Sequence, residues 1–296
     1  MTESNYSIKD LETLSGIKAH TLRIWERRYQ LLKPHRTDTN IRYYTNDDLR
    51  RILNVGLLNK NGRKISKIAA LNDKELYNEV NRLTGESENN SDQIENLILS
   101  MIELDEERFE KIINSSILRL GLIKTIDEIL FTFLQKIGVM WQTGSVNPAQ
   151  EHFISNLIRQ KIIVAINEQI ISKNAKSKKV VLFLPEGELH EISLLFYTYL
   201  VRNSGHQSIY LGQSVPMKDM TSVSEIRNPH YFITVITQPF KEKTIHEYLK
   251  NLSVNFPKQK IFVGGTQIAI LNNPSSFKNI VYFNSPKDLL ELLKKF

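Results

Sequence analysis

Glu188 and His190 lie two residues apart, just beyond the apolar run Val180 to Leu184, and are the pair in this chain best suited to chemistry. A carboxylate beside an imidazole can fix one ring nitrogen while the other ligates a metal. Their expected place is the loop that opens the first helix of an α/β unit, the end of an open parallel sheet where ligands bind. A second group is Trp141 with Glu151 and His152, which follow Asn147-Pro148. There Asn as N-cap, Pro at N1 and Gln150 at N3 start a helix and set Glu151 and His152 in its first turn. A Trp and a His in a helical bundle are most often core residues, and a lone His at a strand end most often satisfies a hydrogen bond. Taken together, the two groups point to a bound ligand instead.

A third group is cationic. Lys18, His20, Thr21, Arg23, Arg27 and Arg28 share one helical stretch, and Arg36, Arg42 and Tyr43 follow among β-forming residues. The formal charge of +7 is concentrated here: residues 1–71 hold fourteen Lys and Arg against seven Asp and Glu, and residues 72–296 hold twenty-five of each. A basic N-terminal module of this kind favours a polyanion, because each phosphate contact releases condensed counterions. The absence of cysteine removes disulfides, thiolate zinc sites and iron–sulfur clusters, so any metal must come through His, carboxylate or a cofactor. The opening residues Met1 to Asn5 lack the features of a signal peptide. Runs such as Leu194 to Val201 are too short to cross roughly 30 Å of hydrocarbon. The expectation is a soluble, cytoplasmic protein.

At 296 residues the chain suits two or three domains. Ser7 with Asp10 caps a first helix that buries Ile8, Leu11 and Leu14 before the turn at Ser15-Gly16. The second helix carries the cations, with Leu22 and Trp25 holding it to a core, and Pro34 ends that segment. A helix-turn-helix lays such a second helix in the major groove. Arg36 to Tyr44 reads as a two-stranded wing along the phosphate backbone, and Thr45 with Asp48 caps another helix.

Gly85 to Asp92 reads as a hydrophilic linker. From Gln93 to about Ser172 the apolar residues recur at three and four, which predicts a helical bundle. Beyond a lysine-rich joint at Ser172 to Lys179, five strands are predicted at Val180 to Leu184, Ser208 to Leu211, Tyr231 to Ile236, Lys260 to Val263 and Ile280 to Phe283. Helices at His190 to Arg202, Lys218 to Ile226, Lys241 to Leu252 and Pro286 to Lys295 alternate with them. That rhythm is the signature of a parallel doubly wound sheet.

Thr21-Leu-Arg-x-Trp-Glu-Arg-Arg28, Arg36-Thr37 and Arg42-x-Tyr44 resemble the winged helix-turn-helix of the MerR family over about seventy residues. Thr39-Asn40-Ile41 stands where many relatives have a glycine-rich wing. The resemblance implies a homodimer on a pseudo-palindromic operator. Glu188-x-His190-x-x-Ser193, Thr237 after a middle strand, and Gly264-Gly265 after the next resemble the cobalamin-binding module, a four-helix cap followed by a Rossmann-like domain. There His190 would displace the nucleotide base from cobalt as lower axial ligand, and the nucleotide tail would enter beside Thr237 and the two glycines, which let the backbone approach a bulky ligand. Ser193 replaces the last glycine of that loop motif. Trp141-x9-Glu151-His152 is similar to the motif of the CarA/CarH/LitR-like regulators, whose helical cap covers the upper face of the corrin. Gln142 stands where light-sensing relatives have a His that captures cobalt after photolysis.

These readings define a multidomain α and α/β chain. A winged helix-turn-helix spans 1–75, a linker 76–92, a helical cap with four-helix bundle 93–175, and a Rossmann-like doubly wound parallel sheet 176–296. The function expected is a non-enzymatic transcriptional regulator, a repressor. Adenosylcobalamin or methylcobalamin would control its hold on double-stranded operator DNA through assembly as a homodimer or tetramer. The alternative is a MerR-like regulator that has lost cobalamin and uses its C-terminal module for a protein partner or another ligand. A corrinoid-dependent enzyme is disfavoured because no separate substrate domain remains. A dinucleotide site is disfavoured because no Gly-x-Gly-x-x-Gly follows the first strand.

Overall fold

A computed structural model describes residues 6–37, 39–84, 89–142, 146–169, 177–271 and 277–295, without the side chains of residues 81, 83, 84 and 142. The chain divides into two compact units, Met1–Asn156 and Leu157–Phe296.

In the first unit, α1 (Ile8–Ser15) begins with the Ser7/Asp10 capping box and ends at Gly16, whose φ of 70° is left-handed. The cationic helix α2 (Ala19–Tyr29) buries Leu22 and Trp25. The wing consists of β1 (His35–Arg36) and β2 (Arg42–Tyr43), paired antiparallel. Asn40 takes the left-handed turn position at φ 65°, a role that Asn fills without glycine. Next come α3 (Asn46–Lys60), capped by Thr45 and Asp48, then α4 (Ile65–Ile68) and α5 (Asp73–Thr84).

The bundle begins with α6 (Asn90–Glu103) and α7 (Glu106–Leu120). It continues through α8 (Leu122–Lys124), a π-helical segment at Thr125–Leu130 and α9 (Phe131–Gln142). Then α10 (Pro148–Glu168) leads into the second unit, its first turn tied to the end of α6 by Gln150 Nε2 donating to the Ile102 carbonyl at 3.2 Å.

The expected linker covers residues 76–92. All its described residues except Asn89 are helical, in α5 or α6. Asn72 and Glu75 cap each other's backbone at 2.9 Å, and Leu76 and Val80, four apart, are buried. Those two signals outweigh a polar composition. Residues 85–88, and most of the lysine-rich joint, lie outside the described residues. The boundary between the two compact units falls within α10, after Asn156.

The second unit holds five parallel strands in the order β4-β3-β5-β6-β7. These are β3 (Lys179–Pro185), β4 (Gln207–Val215), β5 (Tyr231–Val235), β6 (Lys260–Gly264) and β7 (Ile280–Tyr282). The connecting helices are α11 (Ile192–Asn203), α12 (Met217–Arg227), α13 (Glu242–Asn255), the short α14 (Thr266–Ala269) and α15 (Pro286–Lys295). Val181, Phe183 and Phe232 pack with Met220, Ile245 and Leu249 in one core. Strands covered on both faces read as continuous apolar runs, which is why their positions were legible. The order reverses between β3 and β5, so the chain leaves these neighbours in opposite directions and opens a crevice at their carboxyl ends.

Candidate functional site

Beyond β3 the chain turns at Gly187, whose φ is 84°, and turns Glu188 inward. Its side chain is fully buried, whereas that of His190 is 61% exposed. Glu188 Oε1 lies 2.6 Å from His190 Nδ1 and accepts the His190 backbone N–H at 3.0 Å. Its other oxygen accepts the N–H groups of Thr237 at 2.8 Å and Gln238 at 2.6 Å, just past β5. One carboxylate thus spans the crevice where the strand order reverses. Burial alone pushes the Glu188 carboxyl up, but the His190 ring and the amides of Gln238, His190 and Thr237 outweigh it and hold the group at about 2. An ionised carboxylate on Nδ1 keeps the imidazole proton there, leaving the lone pair on Nε2.

Thr237 is half-buried and its carbonyl accepts the Thr266 hydroxyl at 3.3 Å. Ser193 is half-buried in the first turn of α11. The two glycines have a reason other than approach to a ligand. A Cβ on Gly265 (φ 108°) would sit 2.3 Å from the Ile236 carbonyl oxygen, and one on Gly264 would sit 2.5 Å from the Phe283 ring. Both are required by packing of the protein against itself.

Glu191 was missed. It accepts from Arg159 Nε on α10 and from the Tyr210 hydroxyl on β4, both at 2.7 Å. Its partners lie 32 and 19 residues away in sequence, and no local pattern marks them.

In the first unit, the reading of a core Trp and His fails: Trp141 is 47% exposed at the end of α9, and the His152 side chain is 71% exposed. Asn147 and Gln150 cap each other as expected, at 2.9 and 3.2 Å. Glu151 lies 2.8 Å from His152 Nδ1 through one oxygen and accepts the Ser155 hydroxyl at 2.5 Å through the other. The Gln142 side chain lies outside the described residues.

Lys18, His20, Arg23, Arg27 and Arg28 are exposed on or beside α2, and Thr21 is half-buried. Lys18 pairs with Glu12 at 3.1 Å. On the wing, Arg36 Nη1 donates to Asn40 Oδ1 at 2.6 Å, and Arg42 lies 3.9 Å from Glu26. Tyr43 stacks on His35 with ring centroids 5.4 Å apart. Glu26 also accepts the buried Tyr44 hydroxyl at 2.9 Å, which ties the wing to α2. Among the described residues, no helix is long and apolar enough to cross a membrane.

Two family models match: MerR HTH family regulatory protein over residues 6–75, and B12 binding domain over residues 93–165. The HTH-type transcriptional repressor CarH of Myxococcus xanthus is 27% identical over 226 residues, 74% of this chain and 75% of that protein. The repressor CarA of the same organism is 25% identical over 211 residues, 71% of this chain and 68% of that protein. In fold, the chain is similar to the monomethylamine corrinoid protein of Methanosarcina barkeri, with a TM-score of 0.54 and 14% identity, covering 70% of this chain and all of that one. The chain therefore joins a MerR-type helix-turn-helix domain to a B12 binding domain and is a homologue of the transcriptional repressors CarH and CarA.

Proposed function

We propose that this protein is a transcriptional repressor whose hold on operator DNA is set by cobalamin, and that His190 would hold its cobalt through Nε2. The observation that carries the reading is the buried Glu188 carboxylate, which fixes His190 at the switch point of the sheet. Among the described residues no group of three His, Asp or Glu side chains is arranged to hold a bare metal ion. A single oriented imidazole suits a metal that arrives with its other ligands already in place. Cobalamin would supply such a cobalt, which His190 would hold through Nε2.

The chain's own residues then do the rest. Glu188 holds the proton on Nδ1, and the amides of Thr237 and Gln238 hold Glu188. Thr237 and Ser193 border the entry expected for the nucleotide tail, and Gly264 and Gly265 keep the adjoining backbone closely packed. By their likeness to the motif of the CarA/CarH/LitR-like regulators, Trp141, Glu151 and His152 would be the residues of the helical cap that meet the corrin. A half-exposed Trp leaves apolar surface in water, and contact with a ligand would remove it favourably.

On DNA, α2 enters the major groove with Lys18, His20, Thr21, Arg23, Arg27 and Arg28, while Arg36, Arg42 and Tyr43 of the wing follow the backbone. The protein acts as a homodimer or tetramer, since a two-fold operator requires paired readers. Control is linkage: a cofactor that prefers one assembly shifts operator binding by its differential affinity.

The test is operator binding and sedimentation of the purified protein, with and without adenosylcobalamin and methylcobalamin in the dark. A change in operator affinity together with assembly is expected. Identical binding at saturating cofactor would overturn the reading and favour a regulator that answers to another ligand or a protein partner.

A further inference from the structure

One strand departs from regular geometry beside the His190 loop. Two additional residues enter β4 relative to β3: Leu182 pairs with Tyr210, Phe183 with Gly212, and Pro185 with Val215. Gly212 lies at φ 84° and Ser214 at φ 50°. Glycine takes that conformation readily, but for serine it is strained. Strain at a non-glycine residue persists where the surroundings impose it, and bulges beside a site re-aim the strand's groups.

The groups are re-aimed at successive residues of the loop. Ser214 Oγ accepts the Gly187 N–H at 3.0 Å, the Ser214 N–H donates to the Glu188 carbonyl at 3.2 Å, and Gln213 Nε2 donates to the Leu189 carbonyl at 2.7 Å. Tyr210, earlier on the strand, holds Glu191. The strand therefore contacts Gly187, Glu188, Leu189 and Glu191, on both sides of His190.

We infer that Gln213 and Ser214 are positioning residues: the bulged end of β4 is a template that sets the 187–191 loop, and hence the His190 ring, before any ligand arrives. This rests on the reading of His190 as the cobalt ligand. Without the template, the Thr237 and Gln238 amides still hold the Glu188 carboxylate, but the backbone at Gly187 and Leu189 on either side of it loses its fixed seat, and ligation must offset that loss.

The test uses Gln213→Met, which keeps side-chain length without the donor, and Ser214→Gly, which removes the hydroxyl and accepts the left-handed backbone. Both should fold, as checked by circular dichroism. Each lost neutral hydrogen bond corresponds to roughly fivefold. In the apo-protein double variant, hydrogen exchange at the Gly187 amide should rise about tenfold or more. Adenosylcobalamin should leave about tenfold faster, with less of the imidazole-ligated absorbance spectrum, while the unfolding temperature of the α/β unit changes little. Wild-type exchange and wild-type release would overturn the inference. A wild-type protein that retains no cobalamin would instead sink the proposed function, and exchange in the apo-protein would still decide whether the strand orders the loop.

Discussion

Replacing Glu188 by Gln removes one charge and keeps the volume, and its effect can be worked from the environment of the carboxylate. A carboxyl held at about 2 rather than its ordinary 4.5 contributes about 3 kcal/mol to folding at neutral pH. The group is fully buried, so solvent screening takes little from that figure. Because the folded value lies below the unfolded one, the contribution is complete above about pH 4.5 and is lost as the pH falls through about 2. Between pH 6 and pH 2.5 the wild type should therefore lose roughly 2–3 kcal/mol more stability than Glu188→Gln.

The amide also disturbs His190. If its NH2 faces Nδ1, the imidazole proton moves to Nε2 and the lone pair sits on Nδ1, so Nε2 can no longer ligate. If its oxygen faces Nδ1, the NH2 confronts the Thr237 and Gln238 N–H donors. Either arrangement should weaken cobalamin retention by about 10- to 100-fold. The assays are urea unfolding of apo-protein at the two pH values and the rate of cofactor loss on desalting. Equal pH dependence in the two proteins, or unchanged cofactor loss, would refute the reasoning.

Further outcomes follow from the same geometry. Gly265→Ala drives a Cβ into the Ile236 carbonyl and should destabilise the α/β unit by about 3 kcal/mol or more, with or without cofactor, as chemical denaturation would report. Trp141→Ala removes a half-exposed side chain and should cost under about 1 kcal/mol of stability, while weakening cobalamin retention in desalting assays. Arg27→Ala and Arg28→Ala should each flatten the dependence of log operator affinity on log salt by about 0.9 if the lost contact is to phosphate, as titrations at several salt concentrations would show.

What the sequence made legible follows from which interactions are local. The central strands β3, β5 and β6 fall within a few residues of their expected places because burial on both faces writes an apolar run into each. Only β4 extends well beyond its apolar core, through the bulged end that carries Gln213 and Ser214. The capping boxes at Ser7, Thr45 and Asn147 were readable because donor and acceptor lie three residues apart. Glu188 and His190 were readable for a similar reason, being two apart.

Other features depend on distant partners. Glu191 meets Arg159 and Tyr210 across the fold, and the amides of Thr237 and Gln238 reach Glu188 from another strand end. The glycines at 264 and 265 were found by motif, but sequence does not show that Phe283 and the Ile236 backbone fill the space beside them. The π-helical segment at Thr125–Leu130 carries the same apolar periodicity as an α-helix over so short a span. The helix over 76–84 was passed over because polarity was weighed above the Asn72/Glu75 cap and the Leu76/Val80 pair.

The central claim is that His190 holds cobalamin. Its most direct test is the absorbance spectrum of wild-type protein and His190→Ala after incubation with adenosylcobalamin in the dark and desalting. The account predicts a corrin spectrum that stays with the wild type and is lost or altered in the variant. A colourless wild type, or an identical spectrum in both, would contradict it.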